Sequence, residues 1–256
     1  MNRRPIIVTR TGAAGEALVR SLEALGDEAV WIPAFERGPP PDAARVTAVL
    51  AKLAGYQLAV FVSPGAVEAT AARLKGEWPA ATAIGVVGEG TQRAILAQIP
   101  SAARARLLVP AAGAGEGSEP LWAALQPVVG DLRRVLILRA DHGREWLSEQ
   151  LARVGVSTET LAVYSRDVAA IPADVIARLR AWQAAGQTPA LLVTSSEAVD
   201  ALAGLLEPVL GSIGMRVLPA LALHERIAAR LRGAGFARVQ VVTLDVESIR
   251  KAAFAQ

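Results

Sequence analysis

The chain repeats itself. Arg10 and Arg139 stand 129 positions apart, and each closes an apolar run, Ile7-Val8-Thr9-Arg10 and Ile137-Leu138-Arg139. At the same offset Leu18 matches Leu147, Leu22 matches Leu151, Gly26 matches Gly155 and Phe35 matches Tyr164. Leucines at i and i+4 mark the buried face of a helix, and the glycine one turn later supplies the left-handed residue that stops it. Each segment therefore reads strand, helix, glycine stop, strand. A second correspondence aligns Phe61-Val62-Ser63-Pro64-Gly65-Ala66-Val67 with Val193-Thr194-Ser195-Ser196-Glu197-Ala198-Val199. A third aligns Val87-Gly88-Glu89-Gly90-Thr91 with Leu223-His224-Glu225-Arg226-Ile227. All are strands running into helices.

Strands that alternate with helices at this spacing build parallel sheets from βαβ units. Duplicating the pattern implies two similar α/β lobes. Strands are predicted near 6–9, 28–34, 58–62, 83–87, 106–109, 134–138, 157–164, 190–194, 216–222 and 238–242. Helices are predicted near 13–25, 42–54, 65–74, 90–98, 118–128, 144–154, 172–185, 196–207, 225–233 and 245–254. The proline-rich passage Glu36–Asp42 and the passage Tyr164–Pro172 read as hinges, where proline stiffens the exit from a strand and ends any sheet.

Composition narrows the chemistry. Hydrophobic residues make up 52% and charged residues 20% of 256, which is a globular balance. Mean hydropathy is +0.35, yet no apolar stretch approaches the roughly 20 residues that cross a bilayer. The opening Arg3-Arg4-Pro5 is followed by too short an apolar run for a signal peptide, so a cytoplasmic protein with no membrane attachment is expected. Cysteine is absent, which removes disulfides, thiolate metal sites and a cysteine nucleophile. His142 and His224 form no ligand pair, so no metal is expected. The net charge of +3 comes almost wholly from arginine, and no basic run interleaves with aromatics, so nucleic acid is not an expected partner.

Ligands of open α/β sheets bind where strands run into helices. Those turns carry Thr9, Arg10, Ser63, Thr91, Arg139, Ser195 and Ser196. Each hydroxyl is equally suited to capping a helix, but together the helix N-termini offer a receptor for a polyanion. Gly113-Ala114-Gly115-Glu116-Gly117-Ser118 lacks the Gly-Lys-Ser/Thr ending of a nucleotide P-loop, and Gly85–Gly90 lacks dinucleotide spacing, which argues against nucleotide binding. Adjacent Asp141 and His142 are expected to point different ways. No strong acid–base dyad stands out, so the chemistry leans on positioning and electrostatics.

The string Val135-Leu136-Ile137-Leu138-Arg139-Ala140-Asp141-His142-Gly143-Arg144-Glu145-Trp146-Leu147 resembles the central signature of bacterial uroporphyrinogen-III synthases. It continues, as in that family, into Leu151, Gly155 and Val163-Tyr164-Ser165-Arg166. Val8-Thr9-Arg10, Phe61–Pro64, Val87–Thr91, Ser118-Glu119-Pro120-Leu121 and Val193–Ser196 are similar to its other turns, in the right order along nearly the whole chain. The resemblance implies an enzyme without a cofactor that acts alone, as a monomer, on a linear tetrapyrrole. It would cyclise hydroxymethylbilane with loss of water and inversion of the last pyrrole ring. The lobes would be discontinuous: 1–35 plus 168–256, and 38–163, with hinge strands near 28–36 and 157–168 and the ligand cleft between the sheets' carboxyl ends. Tyr164 would be catalytic, assisting departure of the substrate hydroxyl. Thr9, Arg10, Ser63, Thr91, Arg139, Ser195 and Ser196 would hold substrate. Three positions depart from the family pattern: His224 and Ile227 replace a glycine and a threonine, and Gly65 stands where asparagine or arginine is common. A non-catalytic two-lobed binding or sensor protein, or an inactive paralogue, would share the repeat.

Overall fold

The computed structural model describes residues 3–254; the outermost ends of the expected first lobe, 1–2 and 255–256, lie outside them. The elements in chain order are β1 (Ile6–Val8), α1 (Ala13–Ala24), β2 (Ala29–Trp31), β3 (Phe35–Gly38), α2 (Ala43–Leu50), β4 (Leu58–Phe61), α3 (Pro64–Ala71), β5 (Ala83–Val86), α4 (Glu89–Gln98) and β6 (Leu107–Leu108). There follow α5 (Ser118–Leu125), β7 (Arg134–Ala140), α6 (Trp146–Arg153), β8 (Ser157–Val168), α7 (Ala173–Ala184) and β9 (Ala190–Val193). The chain closes with α8 (Ser196–Leu210), α9 (Ser212–Arg216), β10 (Ala220–Ala222), α10 (Glu225–Gly233), β11 (Val239–Val241) and α11 (Val246–Phe254). It divides into two compact units, one holding the residues up to Glu36 with those from Asp167 onward, the other Arg37–Arg166.

Each unit has its own sheet. The first runs β11-β10-β9-β1-β2, and the second β6-β5-β4-β7-β8 with β3 added at the edge. The pairings from β11 to β2 and from β6 to β8 are parallel. The two orders correspond strand for strand, which is the sequence repeat expressed as topology. This is an α/β fold with parallel sheets flanked by helices.

Parallel strands are buried on both faces, so they read as continuous apolar runs while their side chains alternate between two cores. In the second unit Ala59, Phe61, Leu136 and Leu138 pack with Val46 and Leu50 of α2, Val67 of α3 and Ile95 of α4. The alternate residues Leu58, Val60, Val135 and Ile137 pack with Leu121 and Leu125 of α5 and Leu147 and Leu151 of α6. In the first unit Ile7, Leu191 and Val193 face Leu202 of α8 and Leu231 of α10, while Ile6, Val8 and Leu192 face Leu22 of α1 and Ile249 of α11. Gly26 (φ +77°) and Gly155 (φ +80°) stop α1 and α6 in the left-handed conformation that the paired glycines suggested.

Local sequence missed two elements. Phe35–Gly38 forms edge strand β3, which takes in the first three residues of the passage Glu36–Asp42 expected to end the sheet. The strand stops directly before Pro39, whose carbonyl still accepts the Ser165 N–H at 3.1 Å. An edge tolerates proline on its exit because only one side of the strand needs partners. The short α9 was the other omission. No helix among the described residues is long and apolar enough to cross a membrane.

Candidate functional site

The carboxyl end of the second unit's sheet gathers most of the chemistry. Phe61, fully buried and 5.7 Å from the Trp78 ring, anchors β4 so that Ser63 emerges just past the strand. Ser63 takes an extended conformation and caps α3, its Oγ accepting the Ala66 N–H at 3.1 Å. The same oxygen lies 3.2 Å from the hydroxyl of Tyr164, which in β8 stands opposite the last residue of β7. Tyr164 is 9% exposed, its ring inside the core and its oxygen held by a hydroxyl. Arg37 of β3 places its guanidinium 5.6 Å from the centre of that ring and pairs with Glu68 of α3. Gly65 leaves room for this arginine, since a Cβ there would lie 3.3 Å from its Nε and Cζ. The glycine that departs from the family pattern thus has a cation laid across it.

Beside them, Arg139 stands one residue before the end of β7 with its side chain only 13% exposed. It pairs with Glu145 and donates to the Arg144 carbonyl at 3.2 Å, while its Nε is buried without a partner. Arg144 reaches Glu119 at the start of α5 through two bonds of 2.6 and 3.1 Å. Asp141 and His142 do not point apart as adjacent residues were expected to. The loop curls so that His142 Nε2 comes within 3.5 Å of Asp141 Oδ2 while the imidazole stays 84% exposed. Asp141 Oδ1 accepts the backbone N–H groups of His142 (3.1 Å) and Arg166 (3.0 Å). A following glycine, Gly143 at φ +157°, makes room for such a turn.

The first unit presents the matching turns. Ser195 caps α8 by accepting the Ala198 N–H at 3.1 Å, the same bond at the same length as Ser63 makes. Ser196, next to it, has a buried hydroxyl oxygen without a partner. Arg10 follows β1, and its guanidinium makes no hydrogen bond or ion pair that the structure records among the described residues. Its carbonyl accepts Trp31 Nε1 at 2.7 Å.

Besides the Ser196 oxygen, two more of the expected substrate hydroxyls belong to residues buried whole. Thr9 is 1% exposed and its hydroxyl donates to the Leu192 carbonyl at 2.7 Å, joining β1 to β9 rather than facing solvent. Thr91 is 2% exposed, on the inward face of α4. A threonine at a strand end satisfies a neighbouring carbonyl as readily as it meets a ligand, and only packing separates the two. The departures at 224 and 227 fit the same frame: His224 caps α10 with Nδ1 accepting the Arg226 N–H at 3.1 Å, and Ile227 fills the core at the place Thr91 fills in the second unit. Sequence reasoning missed Arg37, which lies outside the repeat's strand-to-helix turns, and it placed Asp141 in such a turn without its bonds to β8, which depend on the partner strand.

A family model described as uroporphyrinogen-III synthase HemD matches residues 16–249. The chain belongs to the uroporphyrinogen-III synthase family. The uroporphyrinogen-III synthase of Escherichia coli is 29% identical over 241 residues, covering 92% of this chain and 94% of that one. That of Salmonella typhimurium is 30% identical over the same coverage. Among solved structures, a mutant uroporphyrinogen III synthase from the extreme thermophile Thermus thermophilus aligns with a TM-score of 0.61 at 21% identity, covering 99% of this chain and all of that one. The Helicobacter pylori enzyme aligns at 0.57 and 14%, covering 99% of each chain. At these identities the solved structures speak for the fold, and the family match carries the assignment.

Proposed function

We propose that this protein is a uroporphyrinogen-III synthase that cyclises hydroxymethylbilane, with loss of water and inversion of the last pyrrole ring, without a cofactor and as a cytoplasmic monomer. The observation that carries the site assignment is the Tyr164 hydroxyl, set 3.2 Å from Ser63 Oγ at the carboxyl end of its sheet. The repeat partner of Tyr164 is Phe35, which fills space with a ring and no oxygen. Packing alone is served by either residue, so the oxygen at 164 points to chemistry.

Tyr164 donates a hydrogen bond or a proton to the departing substrate hydroxyl. Such general-acid assistance contributes about 10²–10⁴-fold, and the pyrrole nitrogen's electron push toward the leaving group favours the lower end. Ser63 orients the phenol. Because Ser63 Oγ already accepts the Ala66 N–H, its own proton is free to turn toward Tyr164 or away from it. Each unit by itself carries groups suited to substrate carboxylates: Arg139 in the second, and Arg10, Ser195 and Ser196 in the first. Thr9 and Thr91 support these turns from inside.

Incubation with enzymatically generated hydroxymethylbilane, followed by separation of type I and type III isomers, tests this reading. Spontaneous closure gives type I, so type III product that depends on the protein is the expected result. Tyr164→Phe should fold normally and slow type III formation by about 10²-fold. A folded Tyr164→Phe protein at the wild-type rate removes the tyrosine from the mechanism. A wild-type protein that yields only type I removes the activity and favours a non-catalytic binding role.

A further inference from the structure

We propose that Asp141 is a positioning residue for Tyr164, locking the bulged end of β8 through its carboxylate oxygen. The proposal rests on the role assigned to Tyr164 above.

The strand alternation of β8 would not by itself bring Tyr164 where it lies. Side chains on a regular strand alternate, so Leu161 and Val163 share a face and Tyr164 belongs to the other. The register against β7 runs Leu138↔Leu161 and Arg139↔Ala162, then skips to Ala140↔Tyr164, leaving Val163 as an extra residue. A bulge of this kind turns the following side chain and strengthens the local twist. Its result is that Leu161, Val163 and Tyr164 all join one core, with Leu136, Leu138 and Ala140. That is the core of α3, whose cap Ser63 meets the phenol.

β7 ends at Ala140, opposite Tyr164, so the β8 groups that follow the bulge must find partners beyond the ladder. Asp141, the next residue, supplies two of them. Its own N–H donates to the Tyr164 carbonyl at 3.0 Å, and its Oδ1 accepts the Arg166 N–H, two residues further on, at 3.0 Å. The same Oδ1 also accepts the His142 N–H at 3.1 Å, which fixes the carboxylate's rotation at the start of the loop. The side chain is 17% exposed, so these bonds are sheltered, whereas the imidazole facing Oδ2 is 84% exposed and adds little through charge. What the site uses is a short side chain carrying an acceptor. Asparagine retains that oxygen; alanine does not.

The test compares Asp141→Asn and Asp141→Ala in the full chain, with type III formation from hydroxymethylbilane and tyrosine NMR as readouts. The chain has two tyrosines, so in a Tyr56→Phe background ring-¹³C-labelled Tyr164 gives the only tyrosine signal. Asp141→Ala should lower kcat about 10–100-fold with KM little changed, since a misplacement near 1 Å can cost ~10²-fold, and should shift or broaden the Tyr164 resonance. Asp141→Asn should restore both to within a few-fold of wild type. In a Tyr164→Phe background, Asp141→Ala should add no further loss. Equal damage from Asn and Ala, with a displaced pH–rate profile, would overturn the proposal in favour of a proton-transfer role for the Asp141–His142 pair. So would an unmoved Tyr164 signal in Asp141→Ala. If Tyr164→Phe itself runs at the wild-type rate, the mechanism fails while the NMR comparison still decides whether Asp141 places the ring. Should Asp141→Ala not fold, amide exchange in the wild type serves: the Arg166 N–H should exchange slowly, and exchange at the free-peptide rate would overturn the lock.

Discussion

Replacing Gly15 by alanine should destabilise this protein, against the ordinary rule for a helix. In a helix interior alanine is favoured over glycine by about 0.5–1 kcal/mol, so sequence alone would recommend the change. Here a Cβ on residue 15 would sit 2.0 Å from the Arg10 carbonyl oxygen and 2.4 Å from Trp31 Nε1. The first of these is backbone, which has no rotamer to escape into. Relief requires the segment after β1 to lift away from α1, breaking the 2.7 Å bond from Trp31 to Arg10. A lost bond of this kind costs about 0.5–1.5 kcal/mol, and an overpacked contact about 1–3 kcal/mol. Together they exceed the helical gain, so the net change should be a loss of about 1–3 kcal/mol. Urea unfolding followed by tryptophan fluorescence reads it directly, since Trp31 lies at the point of damage. The same displacement moves Arg10, so KM for hydroxymethylbilane should rise. A Gly15→Ala protein as stable as the wild type, or more so, would refute the reasoning.

Ser63→Ala and Ser195→Ala form a matched pair, because each removes a helix cap of identical length and should cost about 1 kcal/mol. Ser63→Ala should in addition lower kcat for type III formation through Tyr164, whereas Ser195→Ala, at a substrate-binding position, should act on KM; equal stability loss with kcat unchanged in Ser63→Ala would count against the Ser63–Tyr164 contact. At the opposite end of the second sheet, the hydrogen bond from Tyr56 (2.5 Å), with those from Arg45 and Arg134, holds the Glu159 carboxyl below its ordinary value of 4.5. Its stabilisation is present above that value and lost as pH falls through the lower folded one, so Glu159→Gln should flatten the acid limb of urea midpoint against pH. Burial, and then the Glu159 bond and charge, push Tyr56 up to about 12 from 10.0, so its contribution is complete below 10.0 and fades as pH rises toward 12. Tyr56→Phe should remove that alkaline loss, and an unchanged alkaline limb would contradict it.

The alternation of strands and helices, the duplication and the glycine stops at 26 and 155 were all legible in the sequence, because they follow from local patterning. A strand buried on both faces needs an unbroken apolar run, a helix needs leucines at i and i+4, and a left-handed stop needs glycine. The turns that carry Ser63, Arg139 and Ser195 were placed for the same reason. The register between strands was not legible, since it depends on what lies opposite. Nothing in Leu161-Ala162-Val163-Tyr164 announces that Val163 is the extra residue, yet that one slip turns the phenol into the core beside Ser63. Nor does the sequence tell a threonine hydroxyl that bridges to a carbonyl, as Thr9 does to Leu192 across 183 positions, from one that faces a ligand. Residue type determines which bonds a side chain can make; only the packed neighbours decide which one it makes. That is why Asp141, read from the chain as half of an unremarkable pair, becomes in three dimensions the acceptor that closes the bulge under Tyr164.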